Sequence, residues 1–114
     1  IMSIQYKNKS IALTNTALTT VLTISTSAVA IVKSCYFSNA STGTILCNAS
    51  LYDLSATTNY EFFRDNILSS SVVNATVQGL NLEAGDAIKA QAATANELTV
   101  VCNYALINRE NENG

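Results

Sequence analysis

Three cysteines are the side chains of this 114-residue chain best suited to metal binding or redox chemistry. Cys35, Cys47 and Cys102 form no C-x-x-C pair, and their odd number predicts neither a zinc site nor a disulfide framework. Each is in phase with apolar neighbours at a period of two, as Cys35 is with Val29 and Ile31. We therefore interpret all three as buried thiols that pack like small hydrophobic residues.

One disulfide between these thiols is conceivable. If residues 39–43 form a five-residue hairpin loop, the strand register sets Cys35 opposite Cys47. A bond between them would then be geometrically possible, but it would require an oxidising environment. The sequence leaves the choice between this disulfide and free thiols open.

Catalytic chemistry has few candidate residues. The chain contains no histidine, which removes Ser-His-Asp and Cys-His mechanisms and the usual general base near neutral pH. No glycine-rich phosphate loop is present, because the four glycines are far apart. The carboxylates lie near predicted turns, where capping or solvated charge explains them: Asp53, Glu61, Asp65, Glu83, Asp86 and Glu97. We expect a protein that is not an enzyme and that has no catalytic residues, cofactor or metal.

The composition favours a protein that works by association. Hydrophobic residues make up 48% of the chain and charged residues 12%, compared with a typical charged share of about 25%. A surface with so little charge is a weak barrier to association. The six basic residues are scattered and the net charge is −2, so we expect no nucleic-acid partner. We also expect no membrane span, since no run of about 20 predominantly apolar residues occurs, and the opening Ile-Met-Ser lacks the features of a secretory signal.

The elements that must position these residues are β-strands. Alternation at a period of two predicts eight of them, at residues 4–14, 18–25, 29–38, 44–53, 60–68, 72–80, 87–93 and 98–107. The pattern indicates an all-β fold, an antiparallel two-sheet β-sandwich that is jelly-roll-like. Residues 28–32 and 98–107 carry apolar side chains on both faces, which predicts cover from the facing sheet and from something outside it.

One domain is expected from this length. We predict an N-terminal arm or edge strand at residues 1–10, a single β-sandwich domain at residues 11–107, and a polar C-terminal tail at residues 108–114.

Three segments of the chain resemble a known protein family. They are AVAIVKSCYFSNAS at residues 28–41, SLYDLSATTNYEFFRDNIL at residues 50–68, and LNLEAGDAIKAQAATANELTVVCNYALI at residues 80–107. Together they look like a family of small all-β virion proteins of tailed bacteriophages, many from marine and cyanobacterial hosts, in which the last segment is a closing hairpin. Cys35 and Cys102 stand where that family typically has apolar residues, which agrees with buried thiols.

The resemblance implies a structural protein of the virion. The function that the resemblance implies first is that of a capsid decoration or cement protein, which binds across major capsid subunits and stabilises the head. Such a protein would be made in the host cytoplasm, lie on the capsid surface and form a homo-oligomer, with a trimer favoured. The candidate interface residues are Ile1, Met2, Ile4 and Tyr6, because the N-terminal segment would add a strand to a neighbour.

Two other functions remain open at this stage. The first is a tail, neck or fibre-attachment component. The second is a carbohydrate-binding β-sandwich on the virion surface, which would need the aromatic residues of residues 59–65 to be exposed rather than in the core.

Overall fold

The computed structural model describes residues 3–75 and 79–108 and contains two antiparallel sheets and no helix. This confirms the all-β, two-sheet expectation. The nine strands are β1 (Ser3–Leu13), β2 (Thr19–Thr23), β3 (Ala28–Asn39), β4 (Ile45–Asp53), β5 (Thr58–Ile67), β6 (Ser71–Asn74), β7 (Leu80–Leu82), β8 (Ala87–Ala92) and β9 (Leu98–Asn108).

The strand order is that of a jelly roll. One sheet, which we call sheet A, has the order β1-β9-β3-β6, with β7 also paired to β3; the other, sheet B, has the order β2-β8-β4-β5. β4 pairs with β5, β3 with β6 and β7, β2 with β8, and β1 with β9, so the pairs are nested around the β4–β5 turn. The chain thus folds as one long hairpin wrapped into two sheets.

Alternation along the strands builds the core between the sheets. In β3, the side chains of Ala28, Ala30 and Val32 are buried, whereas Val29 and Ile31 point the other way and are partly or well exposed. Phe37 is fully buried and packs against Phe63 of the opposite sheet. The apolar face of each sheet is covered by the other sheet, as a β-sandwich requires.

The sixth predicted strand is divided in the structure. Residues 72–80 were expected to form one strand, but β6 and β7 pair with different parts of β3. Gly79, which precedes β7, has a φ of +95°, a conformation that glycine adopts without the steric cost of a Cβ. The eight predicted strands therefore correspond to nine, because the alternating pattern does not reveal this break.

Neither the hairpin considered at residues 39–43 nor the closing hairpin that the resemblance implies at residues 80–107 is present. β3 and β4 lie in different sheets, and so do β8 and β9, so the loops after Asn39 and Ala92 are crossings between sheets. The side chain of Asn39 anchors the first crossing: its amide donates to the carbonyls of Gly43 and Ile67, both at 2.8 Å. As a result Cys35 does not lie opposite Cys47, and its register partner is Cys102.

The molecule is elongated, with extents of 53 × 26 × 23 Å, and its longest strands, β1, β3 and β9, are 11 or 12 residues long. β1 runs unbroken across the boundary predicted at residue 10 and pairs with β9 along its whole length. Residues 1–2 and the tail from residue 109 lie outside the described residues.

Candidate interaction surface

The outer face of sheet A carries two rows of apolar side chains. They lie across β1, β9 and β3 in register: Ile4, Ile107 and Val29 in one row, and Tyr6, Ala105 and Ile31 in the next. Among them Tyr6 is 76% exposed, Ile4 57% and Ile31 42%. We call the five larger members, Ile4, Tyr6, Val29, Ile31 and Ile107, the outer patch.

The outer patch is separate from the core. Ala28 and Ala30, which alternate with its β3 members, belong to the buried core cluster, and Leu106 of β9 packs against that cluster. Side chains of the outer patch therefore project away from the facing sheet, since successive residues of a strand point to opposite faces. Contiguous apolar groups exposed on one face are characteristic of an interaction site.

One charged group borders the patch. The Nζ of Lys33 lies 5.1 Å from the centre of the Tyr6 ring, a cation–π geometry. Lys33 is the extra residue at a register shift between β3 and β9, so this bulge directs its side chain toward the ring. The contact orients the ring of Tyr6, most of which is exposed to solvent.

The outer face of sheet B is different in character. It carries an ion pair between Arg64 and Glu61, with 2.7 Å between Nη2 and Oε1, and both side chains are well exposed. The hydrogen bonds that Arg64 donates to the Glu61 carboxylate also raise the pKa of Arg64. Lys89 stands 4.7 Å from the centre of the Tyr52 ring. The two outer faces of the sandwich are therefore unlike: that of sheet A carries the apolar outer patch, and that of sheet B carries the charged side chains of Arg64, Glu61 and Lys89.

A shallow recess also opens on sheet B. It has a volume of about 240 Å³, and its lining includes the amides of Asn48 and Gln91, which are 3.4 Å apart, and the side chains of Arg64 and Leu46. Tyr60 does not line this recess, and Phe63 packs into the core. The aromatic residues of β5 thus form no platform at the recess.

The candidate interface residues from the sequence fall in two places. Ile4 and Tyr6 belong to the outer patch, while Ile1 and Met2 lie outside the described residues. From Ser3 onward the N-terminal segment is hydrogen-bonded to β9, so only the other edge of β1 is open to a neighbour. The two-sided apolar pattern of residues 28–32 and 98–107 predicted cover from outside the sandwich, but the sequence did not single out Val29, Ile31 and Ile107 as interface residues.

All three thiols are buried in the structure and free of disulfides. The Sγ atoms of Cys35 and Cys102 are 2.8 Å apart. Either sulfur can donate the hydrogen bond they share, which raises the pKa of Cys35 and lowers the pKa of Cys102. Burial, with a smaller contribution from Asp65, raises the pKa of Cys47 to about 12.

Three carboxylates gather at one end of the sandwich. Asp53, Glu83 and Asp86 place oxygen atoms within 4.8 Å of one another. Both oxygens of Asp86 accept backbone hydrogen bonds, from Leu54 at 3.1 Å and from Glu83 at 2.9 Å. Asp86 therefore ties the β4–β5 turn to the β7–β8 turn, a structural role for a carboxylate that the sequence places at a turn.

Comparison with known proteins identifies the fold. No protein-family model matches the chain, and no curated protein is similar to it in sequence. A chain of the acidic stable capsid structure of Helicobacter pylori bacteriophage KHP30 is similar, with a TM-score of 0.59 and 11% identity over 96% of this chain and 95% of that one. So is a chain of the virus-like particle of the extra small virus of the prawn Macrobrachium rosenbergii, with a TM-score of 0.52 and 12% identity over 96% and 80%.

A chain of the cyanophage Pam1 capsid asymmetric unit has a TM-score of 0.46 and 15% identity, over 94% of this chain and 86% of that one. The first two similarities establish a fold shared with chains of viral capsid structures.

The part of the chain that the structure describes also contains no helix capable of crossing a membrane.

Proposed function

We propose that this protein is a bacteriophage capsid decoration protein that attaches to the shell through the outer patch of sheet A. The observation that carries the proposal is the exposed apolar patch on one face of a jelly roll whose partner face is charged. The fold shared with a capsid chain of nearly the same length supports a place in a virion.

The mechanism is adhesive. Burying the outer patch against shell subunits removes apolar area from water, which contributes about 25 cal/mol for each Å². The molecule measures 53 × 26 × 23 Å, so one long face exceeds the roughly 800 Å² per partner of a standard specific interface. A molecule that bridges neighbouring shell subunits in this way would oppose their separation under internal pressure.

Attachment is testable with two matched substitutions. Ile31→Lys places a charge in the outer patch, and Leu46→Lys places the same charge on sheet B at an almost equal exposure, 42% compared with 39%. Purified protein would be mixed with phage particles that lack it, and bound protein measured by co-sedimentation. We expect Ile31→Lys to weaken binding at least tenfold, because it buries an unpaired charge, and Leu46→Lys to bind like the wild type.

Equal binding by Ile31→Lys and the wild type, with both variants folded by circular dichroism, would contradict attachment through sheet A. Binding lost only in Leu46→Lys would move the interface to sheet B. Binding by neither wild type nor variant would contradict the decoration function itself.

A second candidate is a shell-forming capsid subunit. It is favoured by the fold shared with a chain of the prawn-virus particle, 80% of which is covered. The two candidates differ when the protein is expressed alone: a decoration protein remains a small oligomer, whereas a shell subunit assembles closed particles. Light scattering after size exclusion would distinguish them, and it would also test the trimer, which stays a prediction from the sequence.

A further inference from the structure

We propose that Cys35 and Cys102 form a reversible disulfide across β3 and β9, which makes this cysteine pair a redox modification site inside the sandwich. The two residues are direct register partners on neighbouring antiparallel strands, and both point into the core. Their Sγ atoms are already 2.8 Å apart.

The backbone around Cys35 shows which kind of strand pair this is. Its N–H donates to Oδ1 of Asn74 at 3.1 Å, and its carbonyl accepts from the N–H of Ala75 at 2.8 Å. Both polar groups therefore face the β6 side of β3, and neither faces Cys102. The pair is consequently of the non-hydrogen-bonded type, in which the Cα atoms of opposed residues are about 4.5 Å apart.

That spacing suits a disulfide. Bonded cysteines have Cα atoms roughly 4.4 to 6.8 Å apart, so no strand has to move for the bond to form. Cys47 has no such partner: it lies in sheet B, with Asp65 and Ala92 as its register neighbours. Cys47 is absent from the register of β3 and β9, so no strand pairing places it beside Cys35 or Cys102.

The reaction requires an oxidant, and a low-molecular-weight disulfide such as oxidised glutathione supplies it. The Cys102 thiolate attacks one glutathione sulfur, the glutathione disulfide breaks, and one glutathione thiolate leaves. The Cys35 thiolate then attacks Sγ of Cys102 and displaces the second glutathione thiolate. The two cysteines lose two electrons and two protons, and the products are one protein disulfide and two molecules of reduced glutathione.

Burial decides when this reaction takes place. Both thiols are completely enclosed in the folded sandwich, so glutathione reaches them before the sheets close or during local opening. The test therefore refolds the full chain from urea in a glutathione redox buffer, quenches with an alkylating reagent under denaturing conditions, and measures the intact mass and the linked peptides.

Three cysteine variants distinguish a bond between Cys35 and Cys102 from one that includes Cys47. In oxidising buffer, Cys47→Ser is expected to lose two hydrogen atoms, to resist alkylation at both remaining cysteines and to give a linked peptide joining residues 35 and 102. Cys35→Ser and Cys102→Ser are expected to keep two alkylatable thiols. The oxidised Cys47→Ser protein should also unfold at a higher urea concentration than its reduced form, because the bond closes a loop of many residues.

Two outcomes would overturn the proposal. One is a natively folded Cys47→Ser protein that retains two free thiols in excess oxidised glutathione. The other is a wild-type disulfide that includes Cys47. Neither outcome bears on attachment to a capsid, so this inference and the proposed function fail independently.

Discussion

Phe37 of β3 and Phe63 of β5 pack against each other across the sandwich, with ring centroids 5.4 Å apart and planes tilted by 30°. Phe37 is fully buried, while Phe63 is half-buried at the edge strand of sheet B. The pair joins the two sheets directly, at a centroid separation that is typical of interacting aromatic rings.

Removing the buried ring is expected to be costly. Phe37→Ala should lower the free energy of unfolding by about 3–5 kcal/mol, because it loses apolar burial and leaves a cavity. Phe63→Ala should lower the free energy of unfolding by a smaller amount, since the Phe63 ring is partly exposed to solvent. Urea unfolding followed by circular dichroism would measure both, and equal costs would contradict the central position of Phe37.

The Asp86 carboxylate provides a second test of the fold. Asp86→Ala leaves the N–H groups of Leu54 and Glu83 without their acceptor, and we expect a loss of about 2–3 kcal/mol in the free energy of unfolding. Asp65→Ala is the control: Asp65 is exposed, and the N–H of Asn66 that donates to it is itself exposed to solvent, so the free energy of unfolding should change by less than about 0.5 kcal/mol. Similar values for both would mean that Asp86 does not hold the two turns together.

Gly85 tests the backbone of the β7–β8 turn. Its φ is +84°, and an added Cβ would overlap Cδ2 of Leu54, a side chain exposed enough to move aside. Gly85→Ala should therefore cost about 1–2 kcal/mol, mainly from the left-handed conformation. At Gly43 nothing lies near an added Cβ, so Gly43→Ala is the matched control and should be nearly neutral. A neutral Gly85→Ala would contradict the turn conformation.

The raised pKa of Cys47 predicts that the free energy of unfolding falls at alkaline pH. Its folded pKa of about 12 lies above the ordinary value of 9.0, so the folded protein keeps a proton that the unfolded chain releases. This contribution is complete below pH 9 and is lost as the pH rises from 9 toward 12, by at most about 1.4 kcal/mol per pH unit. Urea unfolding of the reduced protein at several pH values measures this effect. Between pH 9 and 12 the free energy of unfolding should fall more steeply for the wild type than for Cys47→Ser. Identical slopes would contradict a raised pKa for Cys47.

The sequence predicted the strands well because side-chain alternation is a local property. The expected strand at residues 29–38 is β3 within one residue at each end, and residues 44–53 contain β4. Alternation does not reveal which strands share a sheet, which is why the Cys35–Cys47 register was wrong. The shift between Ala49 and Ser50, where Phe62 is the extra residue of β5, likewise breaks the simple alternation of the aromatic segment.

The outer patch was only partly predictable for a related reason. Ile4 and Tyr6 stand out in the sequence because their segment is terminal and mixed in polarity. The sequence predicted cover on the outer face of residues 28–32, but only the pairing of β1 and β3 with β9 places Val29 and Ile31 in rows with Ile107 and Ile4. An interface that spans three strands is defined by register, and register depends on contacts between residues far apart in the chain.

The central claim, that this jelly roll works by attaching to a phage capsid through the outer patch, is tested most directly by a cryo-EM reconstruction of the particle that carries it. We expect density for the chain repeated over the outer shell, in proportion to the shell subunits, with sheet A facing them. A single ring of copies at the tail or neck, or copies whose charged sheet B faces the shell, would contradict it.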